Sequence, residues 1–237
     1  NIISNIKTAF TQKNNASSES PPRPIRVALL IDEYFGGAGT AYGGYGFLAR
    51  RYIAKYIPNK DIQLDVLLNL SKKMEHHIID GVNVYRLPKN KLLAKLWLLR
   101  KKYDLFLSIE LTSSSYKILK INNKKTPLLL WIQDPRPWYE WREINTVKLY
   151  PEPCYWDSKV YEYVHDLYLL NKVHFITQGE SLNNKARDLY RLNNGTPIKL
   201  IPNPVETNSK IDTYSKKIKS SSLVELSQLN VAGYFAK

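Results

Sequence analysis

The first recognisable unit of the chain runs from Ile25 to Tyr56 and contains the glycine-rich loop Phe35-Gly36-Gly37-Ala38-Gly39-Thr40-Ala41-Tyr42-Gly43-Gly44. Before the loop, the apolar run Ile25–Ile31 does not alternate with polar residues, which predicts a strand buried on both faces of a parallel sheet. After the loop, apolar residues recur at helical spacing from Tyr45 to Tyr56, which predicts an amphipathic helix. A strand, a glycine loop and a helix in this order predict the opening of a βαβ unit.

The glycines of this loop, Gly36, Gly37, Gly43 and Gly44, admit two interpretations. The backbone amides of the loop and the N-terminus of the helix would lie at the carboxyl end of the sheet, where a phosphate or another anion binds in such folds. Alternatively, the glycines only let the chain turn, because glycine adopts positive φ at no steric cost. The loop by itself leaves both interpretations open.

Further along the chain, short buried strands alternate with helices, from Ile62–Leu70 to Ile198–Ile201. This alternation predicts an α/β fold, a Rossmann-like doubly wound and mostly parallel sheet of about six or seven strands. Ser71–Asp80 is polar and is predicted to be a connection. Gly81–Leu87 alternates between apolar and polar residues, which predicts an exposed or edge strand.

The composition limits the classes of partner. The chain has 237 residues, a formal net charge of +14 and a pI near 9.6. A charge of this size predicts an anionic partner: nucleic acid, an acidic membrane surface, an acidic polymer or a sugar nucleotide. The single cysteine, Cys154, excludes an intramolecular disulfide and fits a reducing compartment, so we expect a cytoplasmic protein.

Three segments carry a resemblance to a known family. They are Gly43-Gly44 at the start of the first helix, Ile176–Ser181 and, above all, Lys199–Glu206. In their order and spacing they resemble the amino-terminal half of a glycosyltransferase with the two-domain GT-B fold, of the retaining group usually called family 4. That family's phrase Ile-Pro-Asn-Gly-Val-Asp is similar to residues 201–206, where Pro204 replaces the glycine and Glu206 replaces the aspartate.

The resemblance implies a domain organisation and an activity. Residues 25–206 would form the Rossmann-like acceptor domain, after an amphipathic segment and linker at 1–24 and before a linker and the possible start of a donor domain at 207–237. The implied reaction is retaining transfer of a sugar from a nucleotide-diphosphate sugar to a glycan or a lipid-linked acceptor, as in polysaccharide biosynthesis. The family's donor motifs, Gly-Arg, a later Lys and Glu-x7-Glu, do not follow Glu206. We therefore expect this chain to need a donor domain, in the same or another chain, for activity.

The resemblance also implies how the donor is held. In the family, the glycine loop lies under the donor diphosphate, which implies donor-facing roles for Gly36, Gly37, Gly43 and Gly44. The nucleotide sugar is a substrate, and no cofactor is expected. No metal is expected either, because GT-B enzymes generally stabilise the leaving diphosphate with amides, basic side chains and helix dipoles. The spacing of the four histidines also matches no zinc site.

Acceptor-binding residues are expected at the ends of two buried strands. Asp134 stands where family members often carry a histidine; its carboxylate could orient an acceptor hydroxyl or accept its proton, although Asp before Pro is also a turn signal. Arg136, Trp138 and Trp141 resemble a platform for a sugar or phosphate, or else belong to a loop packed on the core. Glu110 either points into the expected cleft or is simply exposed to solvent.

The helix predicted from Lys91 to Lys102 suggests a second anionic partner. Its apolar residues are Leu92, Leu93, Leu96, Trp97 and Leu99, and its predicted membrane-facing cations are Lys91, Lys95, Lys101 and Lys102. Such a helix can lie in a membrane interface, which would place the protein peripherally on the inner face of the membrane. Alternatively, the apolar stripe packs on the sheet and only the lysines are free.

A functional alternative from another class is a non-catalytic basic module that binds a glycan, an anionic membrane or nucleic acid. Nucleic acid is the least expected of these partners, because the sequence has no motif that reads bases, such as an RNP or helix-turn-helix pattern.

Overall fold

The structure, a computed structural model, describes residues 23–137, 140 and 158–204. The predicted segments 1–22 and 207–237, together with Trp138 and Trp141, lie outside the described residues. The chain divides into one compact unit of residues 1–203 and a second of residues 204–237. The description below concerns the first unit. No helix in its described part is long and apolar enough to cross a bilayer.

The described residues form one sheet of eight strands in the order β3-β4-β2-β1-β5-β6-β7-β8. The strands are β1 (Ile25–Leu30), β2 (Ile62–Leu67), β3 (Glu75–Ile79), β4 (Val82–Arg86), β5 (Leu105–Ile109), β6 (Leu128–Ile132), β7 (Val173–Thr177) and β8 (Ile198–Leu200). All neighbouring strands pair in parallel except β3, which is antiparallel to β4. The predicted fold class, a doubly wound and mostly parallel α/β sheet, is confirmed.

Helices connect the parallel strands. Helix α1 starts as Gly44–Leu48, continues through a π-helical turn at Ala49–Ile53 and ends as Ala54–Tyr56. The others are α2 (Lys91–Lys101), α3 (Ser113–Asn122), α4 (Ser158–Leu169) and α5 (Ser181–Tyr190). Asn90 caps α2 by accepting hydrogen bonds from the amides of Leu92 and Leu93, and Thr112 caps α3 through the amide of Ser115.

The prediction for residues 71–87 was wrong in one respect. The polar segment predicted as a connection contains β3, and β3, not β4, is the edge strand. The hairpin turns at Asp80 and Gly81, whose φ angles of 51° and 78° are both positive. Asp-Gly is a strong signal for this type of two-residue turn, so the hairpin was readable from the sequence. The strand was missed because exposed polar residues conceal its pattern.

Two apolar clusters enclose the sheet, one on each face. Helices α2 to α5 pack on one face, where the core includes Ala28, Leu30 and Phe106. Helix α1 packs on the other face, against the cluster that includes Val27 and Leu29. The chain builds outward from β1 in both directions, so the connections after β1 and β5 diverge. In open α/β sheets, ligands bind at the carboxyl edge beside such a switch point.

A buried polar network holds α2 against the sheet. Asp65 of β2 is 8% exposed and accepts hydrogen bonds from the Tyr103 hydroxyl at 2.7 Å and the Asn83 side-chain amide at 3.2 Å. The Lys101 ammonium lies 3.2 Å from Asp65 Oδ2 and donates to the Tyr85 hydroxyl at 2.8 Å. Lys101, predicted to face a membrane, therefore points inward, because it pairs with the buried carboxylate.

The remaining surface of α2 also differs from the packing predicted for its apolar stripe. Ala94 and Leu98 are buried, and Trp97 packs on the same core as a partly buried side chain. The leucines of the predicted stripe are exposed instead: Leu92 at 65%, Leu93 at 54%, Leu96 at 49% and Leu99 at 44%. The helix therefore uses Ala94, Trp97 and Leu98 for the core and turns its other four leucines outward.

Candidate functional site

The glycine loop after β1 packs mainly against its own chain. Gly37 is buried, and a Cβ added there would lie 2.7 Å from the Tyr34 ring and 3.1 Å from Ile79. Gly36 has a φ of 75°, and an added Cβ would meet the Tyr42 ring at 2.3 Å. In this structure Gly36 serves the turn and Gly37 serves packing, and the donor-facing role expected of both stays a prediction.

The first turn of α1 receives a carboxylate from the same loop. Glu33 Oε1 accepts a hydrogen bond of 2.9 Å from the amide of Gly46. A Cβ on Gly43 would lie 2.1 Å from Glu33 Oε2, so only glycine leaves room for this carboxylate. Gly44 is exposed, and an added Cβ would meet nothing within 4 Å. Of the four predicted glycines, only Gly44 faces open space. The N-terminus of α1 already has an anion from the same chain, the Glu33 carboxylate.

Two arginines fix the loop from outside. Arg50 of α1 donates to the carbonyl of Phe35 at 2.9 Å and pairs with Asp80 at 2.7 Å. Arg86 of β4 donates to the carbonyl of Ala38 at 3.1 Å. Phe35 and Ala38 have positive φ angles of 44° and 53°, which residues other than glycine adopt at a cost. The arginines hold the loop at the two residues where its backbone is least favourable.

Glu110, at the end of β5, is buried rather than exposed. It is 3% accessible, and its Oε2 accepts 2.9 Å hydrogen bonds from the amides of Gln133 and Asp134. Burial raises the pKa of Glu110 from 4.5 to about 7, although these backbone hydrogen bonds oppose the rise. Its φ is 50°, in the left-handed region. The solvent exposure considered for Glu110 is wrong, because the side chain is buried and holds the loop after β6 from below; its expected acceptor-binding role stays a prediction.

Asp134 and Arg136 form a partly exposed ion pair on this loop. Arg136 Nε lies 3.0 Å from Oδ1 and 2.9 Å from Oδ2 of Asp134, and the side chains are 42% and 34% exposed, respectively. The Tyr161 hydroxyl of α4 donates to the Arg136 carbonyl at 2.9 Å. The pair thus rests on a braced backbone while both charged groups remain accessible, as binding of a polar ligand requires.

Tyr45 connects the start of α1 to this ion pair. Burial raises the pKa of Tyr45 most, and the negative charges of Glu110 and Asp134 raise it further, whereas Arg136 lowers it. The first turn of α1 and the Asp134–Arg136 pair both lie toward the carboxyl edge of the sheet, because each comes after the carboxyl end of a parallel strand, and the charges after β6 act on the Tyr45 hydroxyl.

Three side-chain amides connect the segments that follow β6, β7 and β8. Asn203 Nδ2 donates to Gln133 Oε1 and to Gln178 Oε1, both at 2.8 Å, and Gln178 Nε2 donates to the Gln133 carbonyl at 2.8 Å. The sequence singled out the segments that contain these residues but gave the three amides no role. The signal available was their position: Gln133 and Gln178 directly follow buried strands, and Asn203 comes three residues after the end of β8, at the same edge of the sheet.

A cleft of about 550 Å³ lies between the loop after β6 and helix α5. Its charged lining residues are Asp134, Arg136, Glu140, Lys185 and Asp188. Carboxylates and cations mixed in this way can bind hydroxyl groups as both acceptors and donors. A larger cavity, of about 850 Å³, lies at the amino ends of β7 and β8, away from these groups.

Metal ligands do not cluster in the part of the chain that is described: no group of three or more His, Cys, Asp or Glu side chains there could hold an ion. The groups that the site offers are the Asp134 carboxylate, the Arg136 guanidinium and the amides around Gln133. These groups can accept a proton, orient hydroxyls and bind an anion.

Comparisons with known proteins found fold-level similarity only. No protein-family model matches the chain, and no curated protein matches it. Among solved structures, sucrose-phosphate synthase from Thermosynechococcus elongatus aligns with a TM-score of 0.44 and 12% identity, over 81% of this chain and 52% of that one. MurG from Acinetobacter baumannii aligns with a TM-score of 0.31 and 12% identity, over 81% of this chain and 71% of that one.

The chain thus spans about half the length of the first of these proteins.

Proposed function

We propose that the described domain is the acceptor half of a GT-B glycosyltransferase, which transfers a sugar from a nucleotide-diphosphate donor to a glycan or a lipid-linked acceptor. The observation that carries this proposal is the accessible Asp134–Arg136 pair at the carboxyl edge, after β6, the second strand from the switch point between β1 and β5. The retaining course of the reaction and the donor class rest on the resemblance of the sequence motifs to family 4.

In this proposal, Asp134 interacts with the acceptor hydroxyl. Sugar transfer forms a bond between the acceptor oxygen and the anomeric carbon, breaks the bond to the diphosphate and releases the hydroxyl proton. Asp134 would orient that hydroxyl or accept its proton. Arg136 lies within 3.0 Å of both carboxylate oxygens and limits the rotation of the carboxylate. Glu110 is a positioning residue, because it reaches the ligand only through the backbone of Asp134.

The donor side of the proposal has a narrower basis. Gly44 is the predicted donor-facing glycine that leaves open space at the start of α1. Glu33 occupies the adjoining turn through the amide of Gly46. A donor diphosphate at this helix terminus would meet the Glu33 carboxylate, so we expect the diphosphate to lie on the Gly44 side of the turn or to displace Glu33.

The proposal is tested by binding of the chain to an array of glycans and lipid-linked sugars, which requires no turnover and therefore no donor domain. We expect binding that Asp134→Asn and Arg136→Ala each weaken by about tenfold, the loss of one charge-assisted contact. Both side chains are partly exposed, so urea unfolding should show little loss of stability. The control is Glu162→Gln, an exposed carboxylate on α4.

Two outcomes would contradict the proposal. One is an array on which nothing binds, and the other is binding that both variants leave unchanged. The alternative of a basic module is favoured by the net charge of +14. It predicts binding that dextran sulfate or single-stranded DNA competes away, that falls steeply with salt and that ignores substitution of Asp134.

A further inference from the structure

The face of α2 opposite the sheet is an exposed apolar ridge. Leu92, Leu96 and Leu99 follow one another at spacings of four and three residues, so they share one side of the helix. Ala94 and Leu98 occupy the buried side. An ordinary surface helix of a βαβ unit buries its apolar stripe and exposes polar residues. In α2 both sides are apolar, so the outer stripe requires an explanation other than the core.

Cations border this ridge, and acidic residues are absent from its helix. Lys91 and Lys95 flank the leucines on one side and Arg100 on the other, and all three are exposed. Helix α3 packs beside α2 and exposes Lys117 and Lys120. Neither residues 87–103 nor residues 111–133 contain an Asp or Glu. The surface therefore combines an apolar centre with exposed cations on both sides of it.

We propose that this surface, which we call the α2 ridge (Leu92, Leu93, Leu96 and Leu99 with Lys91, Lys95 and Arg100), binds in the interface of an anionic lipid bilayer. Charge complementarity selects this occupant: an apolar stripe with a cationic border matches acyl chains beneath anionic headgroups. Lys101, paired with Asp65, lies outside the ridge, which distinguishes this surface from the sequence prediction. The inference does not depend on the proposed reaction.

One end of the α2 ridge lies on the same side of the domain as the candidate site. Helix α2 follows β4, so it begins at the carboxyl edge of the sheet and runs back toward the amino edge. Its first turn, with Leu92 and Leu93, therefore lies on the side of the domain where Asp134 and Arg136 are found. A bilayer at the ridge would bring lipid-borne molecules to that edge.

Vesicle sedimentation with the full chain tests the proposal. The probes are vesicles of phosphatidylcholine alone and of phosphatidylcholine mixed with phosphatidylglycerol. We expect binding to the mixed vesicles that falls as salt rises. The test variant is Leu92→Gln/Leu96→Gln/Leu99→Gln, and its matched control is Leu169→Gln/Leu170→Gln/Leu200→Gln, whose leucines are 65%, 52% and 43% exposed. The ridge variant should lose most of its binding, and the control should bind as the unchanged chain does.

A double charge-reversal variant measures the contribution of the cations to vesicle binding separately from that of the leucines. Lys91→Glu/Lys95→Glu should weaken binding to mixed vesicles by about 25-fold or more, because each surface cation contributes about fivefold. Lys60→Glu/Lys72→Glu, exposed lysines elsewhere on the domain, is the matched control.

Three outcomes would overturn the proposal: equal binding to neutral vesicles, binding that the ridge leucine variant retains, or no binding at all. Sedimentation velocity adds a fourth, a lipid-independent dimer that the leucine variant abolishes, which would make the ridge a contact between two copies of the chain.

Discussion

The buried carboxyl group of Glu110 predicts how the free energy of unfolding depends on pH. Its pKa is raised to about 7 from an ordinary value of 4.5, because the folded chain buries the carboxyl group. A raised folded-state pKa means that the protonated form is favoured in the native protein. The contribution of protonated Glu110 to the free energy of unfolding is fully present below about pH 4.5. It is lost as the pH rises through about 7.

The size of the effect follows from the two pKa values. A difference of about 2.5, at 1.36 kcal/mol for each factor of ten, corresponds to about 3 kcal/mol. Glu110→Gln keeps an oxygen that can accept from the amides of Gln133 and Asp134 but removes the ionisation. We therefore expect the variant to gain about 3 kcal/mol of unfolding free energy relative to the unchanged chain between pH about 4.5 and about 8.5.

Urea unfolding followed by circular dichroism across this pH range measures that gain. His174 also titrates, and burial lowers its pKa, but its contribution is common to both proteins and cancels in their difference. The exposed carboxylate variant Glu162→Gln is the control and should show no comparable trend. If the stability difference between Glu110→Gln and the unchanged chain were constant with pH, or fell at high pH, the placement of Glu110 beneath the loop would be refuted.

Two further substitutions test local contacts by the same unfolding assay. Gly43→Ala should cost about 1 kcal/mol, because the new methyl group displaces the Glu33 carboxylate from the amide of Gly46 in α1. That cost should vanish in a Glu33→Ala background, and Gly44→Ala, which enters open space, should cost nothing. Tyr103→Phe should cost about 1.5 to 3 kcal/mol, because it removes the 2.7 Å hydrogen bond to the buried Asp65 carboxylate; unchanged stability would mean that the network does not hold α2.

The parallel strands were predictable because burial on both faces leaves a simple signature. Leu105–Ile109 and Leu128–Ile132 are apolar throughout or nearly so, and the structure buries every residue in both strands. Strand β3 was hidden for the opposite reason. It lies at the edge, its side chains face solvent, and only the turn at Asp80-Gly81 reveals it.

The candidate site was harder to predict because its residues interact across strands that are far apart in sequence. Asp134 and Arg136 follow a buried strand, and their position, their charge and the family resemblance made them predictable as site residues. Nothing local indicates that Glu110, 24 residues earlier, would bond to the Asp134 amide. Nor does helical spacing show which side of α2 faces the sheet. On the side that does face the sheet, Lys101 binds Asp65, a contact between residues 36 apart in sequence.

The two arginine contacts to the glycine loop have a mechanical consequence. A hairpin at the edge of a sheet is ordinarily among the first parts of a domain to fray, since one of its strands pairs on a single side. Here Arg50 and Arg86 bind loop carbonyls while they also pair with Asp80 in the hairpin turn and with Glu75 in β3. If the β3–β4 hairpin separates, the arginine contacts to the loop are weakened at the same time. The rigidity of the loop that precedes α1 therefore depends on the pairing of β3 with β4.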